Sequence, residues 1–180
     1  WHFATAYPEI TNKLAILNCP HPYLLIKNLL TNPKQLRKSW YMMGFQIPFL
    51  PEILMQQFLP QLFESNMRGW LYNPQNMTDS DLELYVQAYR EKDALTNSIN
   101  YYRAGLRSGI SEDLKKKKVK APTRVIWGRN DKALGEELND KLSEVIDARF
   151  DVQYLDQCSH WTQVDQPEKV NELLLEFFNQ

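Results

Sequence analysis

Three short apolar runs, each closed by a polar turn, limit what this chain can fold into. They are "KLAILN" (13–18), "TRVIWGRND" (123–131) and "RFDVQYLDQCSH" (149–160). The first two are compact and continuous, as buried strands are, and the third alternates at Phe150, Val152 and Tyr154. Helical patterns follow the last two, over roughly 134–147 and 167–179, the latter with Pro167 near its first turn. Strand, polar turn, helix, strand predicts a parallel α/β architecture, in which functional groups gather beyond the carboxyl ends of the strands.

Between the first and second runs the composition changes. From about Tyr23 to Ile110 the chain is rich in Leu, Met, Phe, Tyr and Trp at helical spacing, punctuated by Pro33, Pro48, Pro51, Pro60 and Pro74. "TDSDLELYVQAY" (78–89) places a Thr or Asp cap before an apolar face. This is an all-helical insertion of nearly half the chain after a strand end, where it sits above the sheet as a lid. The expected division is a core segment 1–22, a helical lid 23–112 and a second core segment 113–180. The opening "WHFATAYPEI" reads as the second half of a helix closed by Tyr7-Pro8, so the chain is expected to be part of something longer.

With 43% hydrophobic and 24% charged residues, the 180-residue chain can bury a sizeable core, which argues against disorder. A net charge of −1 gives no long-range attraction for nucleic acid or an anionic membrane. The one basic run, Lys115 to Lys118, reads as a solvated loop before a strand. No apolar run reaches the roughly 20 residues of a membrane span. Cys19 and Cys158 match no zinc or CxxC spacing, which favours free thiols in a reducing, cytoplasmic compartment.

Asp131 ends the second run and His160 follows the third, so a parallel sheet brings both to one edge although 29 positions separate them. A carboxylate bonded to an imidazole fixes its tautomer and stabilises the imidazolium, which makes a general base. The alternatives are a plain turn aspartate and a half-buried polar histidine, and spacing alone leaves them open.

"WGRNDKAL" and "QCSHWTQVDQPEKVNELLLEFF", with "YPEITNKLAILNCPHP" near the start, resemble the C-terminal half of α/β-hydrolase-fold epoxide hydrolases. The resemblance covers essentially the whole chain. It implies an α/β fold with parallel strands flanked by helices and an inserted all-helical lid. In that family an acid follows the penultimate strand and a histidine the last, which places those roles on Asp131 and His160. Family lids also supply two tyrosines that bind the epoxide oxygen and protonate the leaving alkoxide, a task for a weak acid. "YMMGFQIP" and "NYYRAG" put these at Tyr41 and Tyr102. His21 of "CPHP" matches a Pro-His-Pro turn with a structural role at the cavity wall, and Trp40, Phe45 and Tyr101 are candidates to line an apolar pocket.

The family's nucleophile is an aspartate on a glycine-flanked elbow, and with only six glycines no G-x-D-x-G or G-x-S-x-G elbow occurs here. The resemblance therefore implies an N-terminal half as partner, beside which the apolar edge of the "KLAILN" strand would be covered. It implies hydrophobic epoxides and water as substrates, with no cofactor and no metal. A dehalogenase of the same fold shares the Asp–His–Asp logic, an ester hydrolase would need an elbow serine, and a catalytically silent fragment would retain the same residues.

Overall fold

The computed structural model describes residues 1–108, 114 and 117–180. Three strands, β1 (Leu14–Leu17), β2 (Thr123–Gly128) and β3 (Phe150–Leu155), form a parallel sheet in the order β1-β2-β3. The register aligns Leu14 with Thr123 and Thr123 with Phe150, so all three strands start level. The 123–131 and 149–160 runs thus divide into six-residue strands followed by polar turns.

β2 is buried along its whole length, as its near-continuous apolar sequence requires of a central strand covered on both faces. Val125 and Trp127 face one side, against Ile16, Leu138, Leu142 and Val145. Ile126 faces the other, against Leu155, Val170 and Leu173. Arg124 is the charged exception. Its guanidinium donates to Asp151 Oδ2 at 2.7 Å, Glu176 Oε2 at 3.0 Å and Leu173 O at 2.9 Å, which satisfies the charge that burial would otherwise strand.

The β1–β2 crossover holds the helical insertion. It runs through α2 (Pro22–Thr31), α3 (Pro33–Lys38), α4 (Trp40–Gly44), α5 (Leu50–Gln57), α6 (Leu59–Asn66), α7 (Asp79–Arg90) and α8 (Ala94–Ser108), after a short α1 (His2–Ala6). Four of these helices carry proline in their first turn, where the missing N–H is no loss. α7 starts as its sequence predicts, with Thr78 and Asp81 in a reciprocal capping box. Beyond β3, α9 (Thr162–Asp165) leads into α10 (Pro167–Asn179), which buries Val170, Leu173 and Phe177 at helical spacing. Among the described residues, no helix is long and apolar enough to cross a membrane.

The helix expected over 134–147 is not formed. The segment contains two 3₁₀ turns, Glu136–Asn139 and Leu142–Glu144, separated where Lys141 leaves helical geometry at φ −118° and ψ 28°. Its end is tied into an extended bridge by bonds from Val119 N to Val145 O and from Asp147 N to Val119 O, both 2.9 Å. The apolar residues at 138, 142, 145 and 146 still reach the core, so the pattern specified burial without specifying a continuous helix. The expected boundary at 112/113, and Lys115 and Lys116 of the basic run, lie outside the described residues. Lys118 of that run donates to Ser143 O at 3.0 Å.

Candidate active site

Parallel strands deliver Asn18, the 128–131 turn and the 156–160 turn to one edge of the sheet. The last two cross in close contact. A Cβ on Gly128 would lie 2.2 Å from Ser159 O and 2.6 Å from Cys158 O, so a glycine is needed for the backbone to pass there. Asn130 then stitches the turns together, its N–H donating to Cys158 O at 2.9 Å and its Oδ1 accepting from Cys158 N at 3.3 Å.

This arrangement brings Asp131 and His160 together, with Nδ1 and Oδ2 2.8 Å apart. Asp131 is 4% exposed and accepts three further bonds. Asn18 Nδ2 donates to Oδ2 at 2.7 Å, and the N–H groups of Ala133 and Leu134 donate to Oδ1 at 2.7 and 2.9 Å. Burial pushes the carboxyl's pKa up, but the bond and charge of His160 and the donors from Asn18 and Leu134 outweigh it, and the net shift is downward. Because the carboxylate only accepts, the proton of the imidazole resides on Nδ1 and the lone pair on Nε2. The imidazole is a quarter exposed, with the Trp161 ring edge-on at 4.7 Å. The chemical capacity of such a pair is to take a proton from water at Nε2.

Tyr41 on α4 and Tyr102 on α8 also meet. Their rings are 5.8 Å apart and nearly perpendicular, and Phe45 packs on both at 5.9 and 5.1 Å. Arg103 holds the two helices together, donating to Phe45 O and Ile47 O at 2.8 Å each and pairing with Glu52. Burial raises the pKa of both phenols. Tyr41 is raised further by Tyr102 and by the Asp131 charge, whereas its hydrogen bond partly offsets the rise at Tyr102. The turn before Tyr41 is fastened to the Asp131 loop. Lys38 Nζ donates to Asp131 O at 2.9 Å, and buried Gln35 donates to Ala133 O at 3.0 Å and accepts from Gly135 N at 2.9 Å.

The other sequence candidates separate. His21 is fully buried and caps α2 by accepting from Tyr23 N at 3.3 Å, and burial pushes its pKa down to about 4, so the imidazole is neutral. Trp40 and Tyr101 are 72% and 78% exposed and do not line an enclosed pocket here. Each immediately precedes an inward-facing tyrosine, and one helical residue rotates the side chain by about 100°, off the inner face. Asn18, bonded to Asp131, and Asp165, which accepts from Ser159 N at 2.7 Å beside His160, are neighbours of the pair that the sequence did not single out. A polar residue ending a buried strand was the available sign of the first, and a second acid five positions after His160 was the sign of the second.

Parallel strands, an acid after β2, a histidine after β3 and a helical cap in the β1–β2 crossover define the C-terminal part of an α/β-hydrolase fold. Within that class the chain is similar to epoxide hydrolases. It is 35% identical over 184 residues to human epoxide hydrolase 4, covering all of this chain and 50% of that protein. It is 32% identical to the AB hydrolase superfamily protein YfhM of Bacillus subtilis, covering 98% of this chain and 60% of that protein. Among solved structures, a Bacillus megaterium epoxide hydrolase in complex with an inhibitor superposes with a TM-score of 0.79 at 28% identity, covering all of this chain and 65% of that one. The chain spans about half the length of the first two curated relatives it matches. No family model matches.

Proposed function

We propose that this chain is the lid and acid–histidine portion of an epoxide hydrolase, which converts hydrophobic epoxides and water to vicinal diols. The observation that carries the reading is the pairing of buried Asp131 with the partly exposed His160, fastened through Gln35 and Lys38 to the helix turn that leads to Tyr41. The lid spans residues 23–112. A carboxylate nucleophile comes from polypeptide outside these 180 residues. It attacks an epoxide carbon, the C–O bond breaks, and Tyr41 and Tyr102 hydrogen-bond the oxygen, one of them giving its proton to the departing alkoxide. Their raised pKa values keep both phenols protonated, as a donor must be. His160 Nε2 then takes a proton from water, whose oxygen attacks the ester carbonyl. Asp131 stabilises the imidazolium, the ester C–O bond breaks to release the diol and the free carboxylate, and the imidazolium proton returns to the tyrosinate left by ring opening.

The paired tyrosines favour an epoxide over a halide, because a departing halide accepts no proton whereas an alkoxide needs one. The test is to incubate the complete protein with styrene oxide and with a 1-chloroalkane and to measure diol and chloride. Diol without chloride is expected. Chloride release without diol, or no reaction with a panel of aryl and alkyl epoxides, would overturn the reading.

A further inference from the structure

Asp165 is a buried carboxylate, 8% exposed, with no part in the chemistry above. Its two oxygens are shared between two regions of the chain. Oδ2 accepts from Ser159 N at 2.7 Å, the N–H immediately before His160. Oδ1 accepts from Tyr72 N at 3.0 Å and Asn73 N at 3.1 Å, in the lid segment between α6 and α7. The lid answers through Asn76, whose Nδ2 donates to Val164 O and Asp165 O at 3.0 Å each. The carboxylate's three donors are backbone N–H groups whose directions are set by the chain, so it fixes the separation of the two segments.

An independent observation points the same way. Trp161 and Val164, on the same turn, pack into the lid's own apolar cluster of Met67, Leu71, Met77 and Leu82. Trp161 also touches the imidazole, and its carbonyl accepts from Asp165 N at 2.9 Å, closing the turn that carries His160. His160 is therefore held from the sheet side by Asp131 and from the lid side by Asp165 and Trp161.

We infer that Asp165 is a positioning residue that makes docking of the 67–77 lid segment and orientation of His160 a single event. The choice of an epoxide as probe rests on the function proposed above, but the coupling does not. Asparagine cannot replace the aspartate: one of its two terminal groups is an NH₂, which would face an N–H donor instead of accepting from it.

The experiment compares Asp165→Asn and the lid-side Asn76→Ala with the wild type in the complete protein, by amide hydrogen exchange and by single turnover of styrene oxide. Asp165→Asn is expected to speed exchange at Ser159, Tyr72 and Asn73 together. Asn76→Ala, which leaves the Asp165–Ser159 bond in place, is expected to speed exchange at Ser159 as well. In turnover, Asp165→Asn should slow ester hydrolysis by roughly tenfold or more, as loss of a hydrogen bond to a charged acceptor implies, with ring opening changed much less. Unchanged protection of Ser159 in both variants would overturn the inference. So would an equal fall of both chemical steps in proportion to the folded fraction. If the wild type forms no ester, the functional reading fails and the exchange data still decide the coupling.

Discussion

Replacing Asn18 by glycine isolates what one buried amide does for the acid–histidine pair. Asn18 sits at φ 39°, where glycine is at ease, so the substitution removes the side chain without adding backbone strain. Two bonds disappear, the donation to Asp131 Oδ2 at 2.7 Å and the acceptance from Gly128 N at 2.8 Å. Losing a bond to a charged acceptor costs about 1.5–3 kcal/mol, and a buried N–H left without an acceptor costs about 1–3 kcal/mol. The freer unfolded glycine adds about 0.5–1 kcal/mol. The sum is about 3–7 kcal/mol, and water entering the vacated space would pull it toward the lower end.

The same change has a pH signature. The Asp131 carboxyl lies below its ordinary value of 3.8. Its contribution to stability is thus present above that value and lost as pH falls through the folded one. The Asn18 donor is one cause of the depression, so Asn18→Gly raises the folded value and moves the acid limb of the stability curve to higher pH. Urea denaturation of the complete protein at a series of pH values measures both effects. A loss below about 1 kcal/mol, the centre of the range for ordinary substitutions, together with an unshifted acid limb, would refute the reasoning.

Gly128→Ala sets a methyl against two backbone carbonyls that cannot rotate away, so it should destabilise by about 1–3 kcal/mol or more and slow ester hydrolysis, as thermal unfolding and single turnover would show. Tyr41→Phe and Tyr102→Phe should each slow ring opening by on the order of 10² at an unchanged rate of ester hydrolysis, measured by burst kinetics. Both phenols lie above their ordinary value of 10.0, so in absorbance titration they ionise after exposed tyrosines, and the stability they contribute below that value is lost as pH rises through the folded ones.

The three strands were legible because burial follows from apolar continuity, and Arg124 shows the pattern surviving one charged residue. Asp131 and His160 could be picked out as a candidate pair because each follows an apolar run, but only the family resemblance gave them roles that spacing alone left open. Asn18 was not legible, since a strand-end asparagine reads as a turn former, and its role appears when β1 and β2 pair in register. Asp165 was hidden for a related reason. An acid just before Pro167 looks like a residue for the next helix, and its partners, 92 and 93 positions away, are backbone groups with no signature in sequence. The 134–147 segment failed as a helix because periodicity reports which residues are buried, and a bridge to Val119 competes for the backbone without disturbing that pattern.

The central claim is that His160, oriented by Asp131, activates water against a covalent ester. The direct measurement is intact mass of the complete protein carrying His160→Gln, taken after mixing with styrene oxide. The account predicts a stable adduct heavier by one substrate molecule, with little diol released, while the wild type shows the adduct only transiently. Wild-type diol formation at an undiminished rate in His160→Gln, with no adduct at any time, would contradict it.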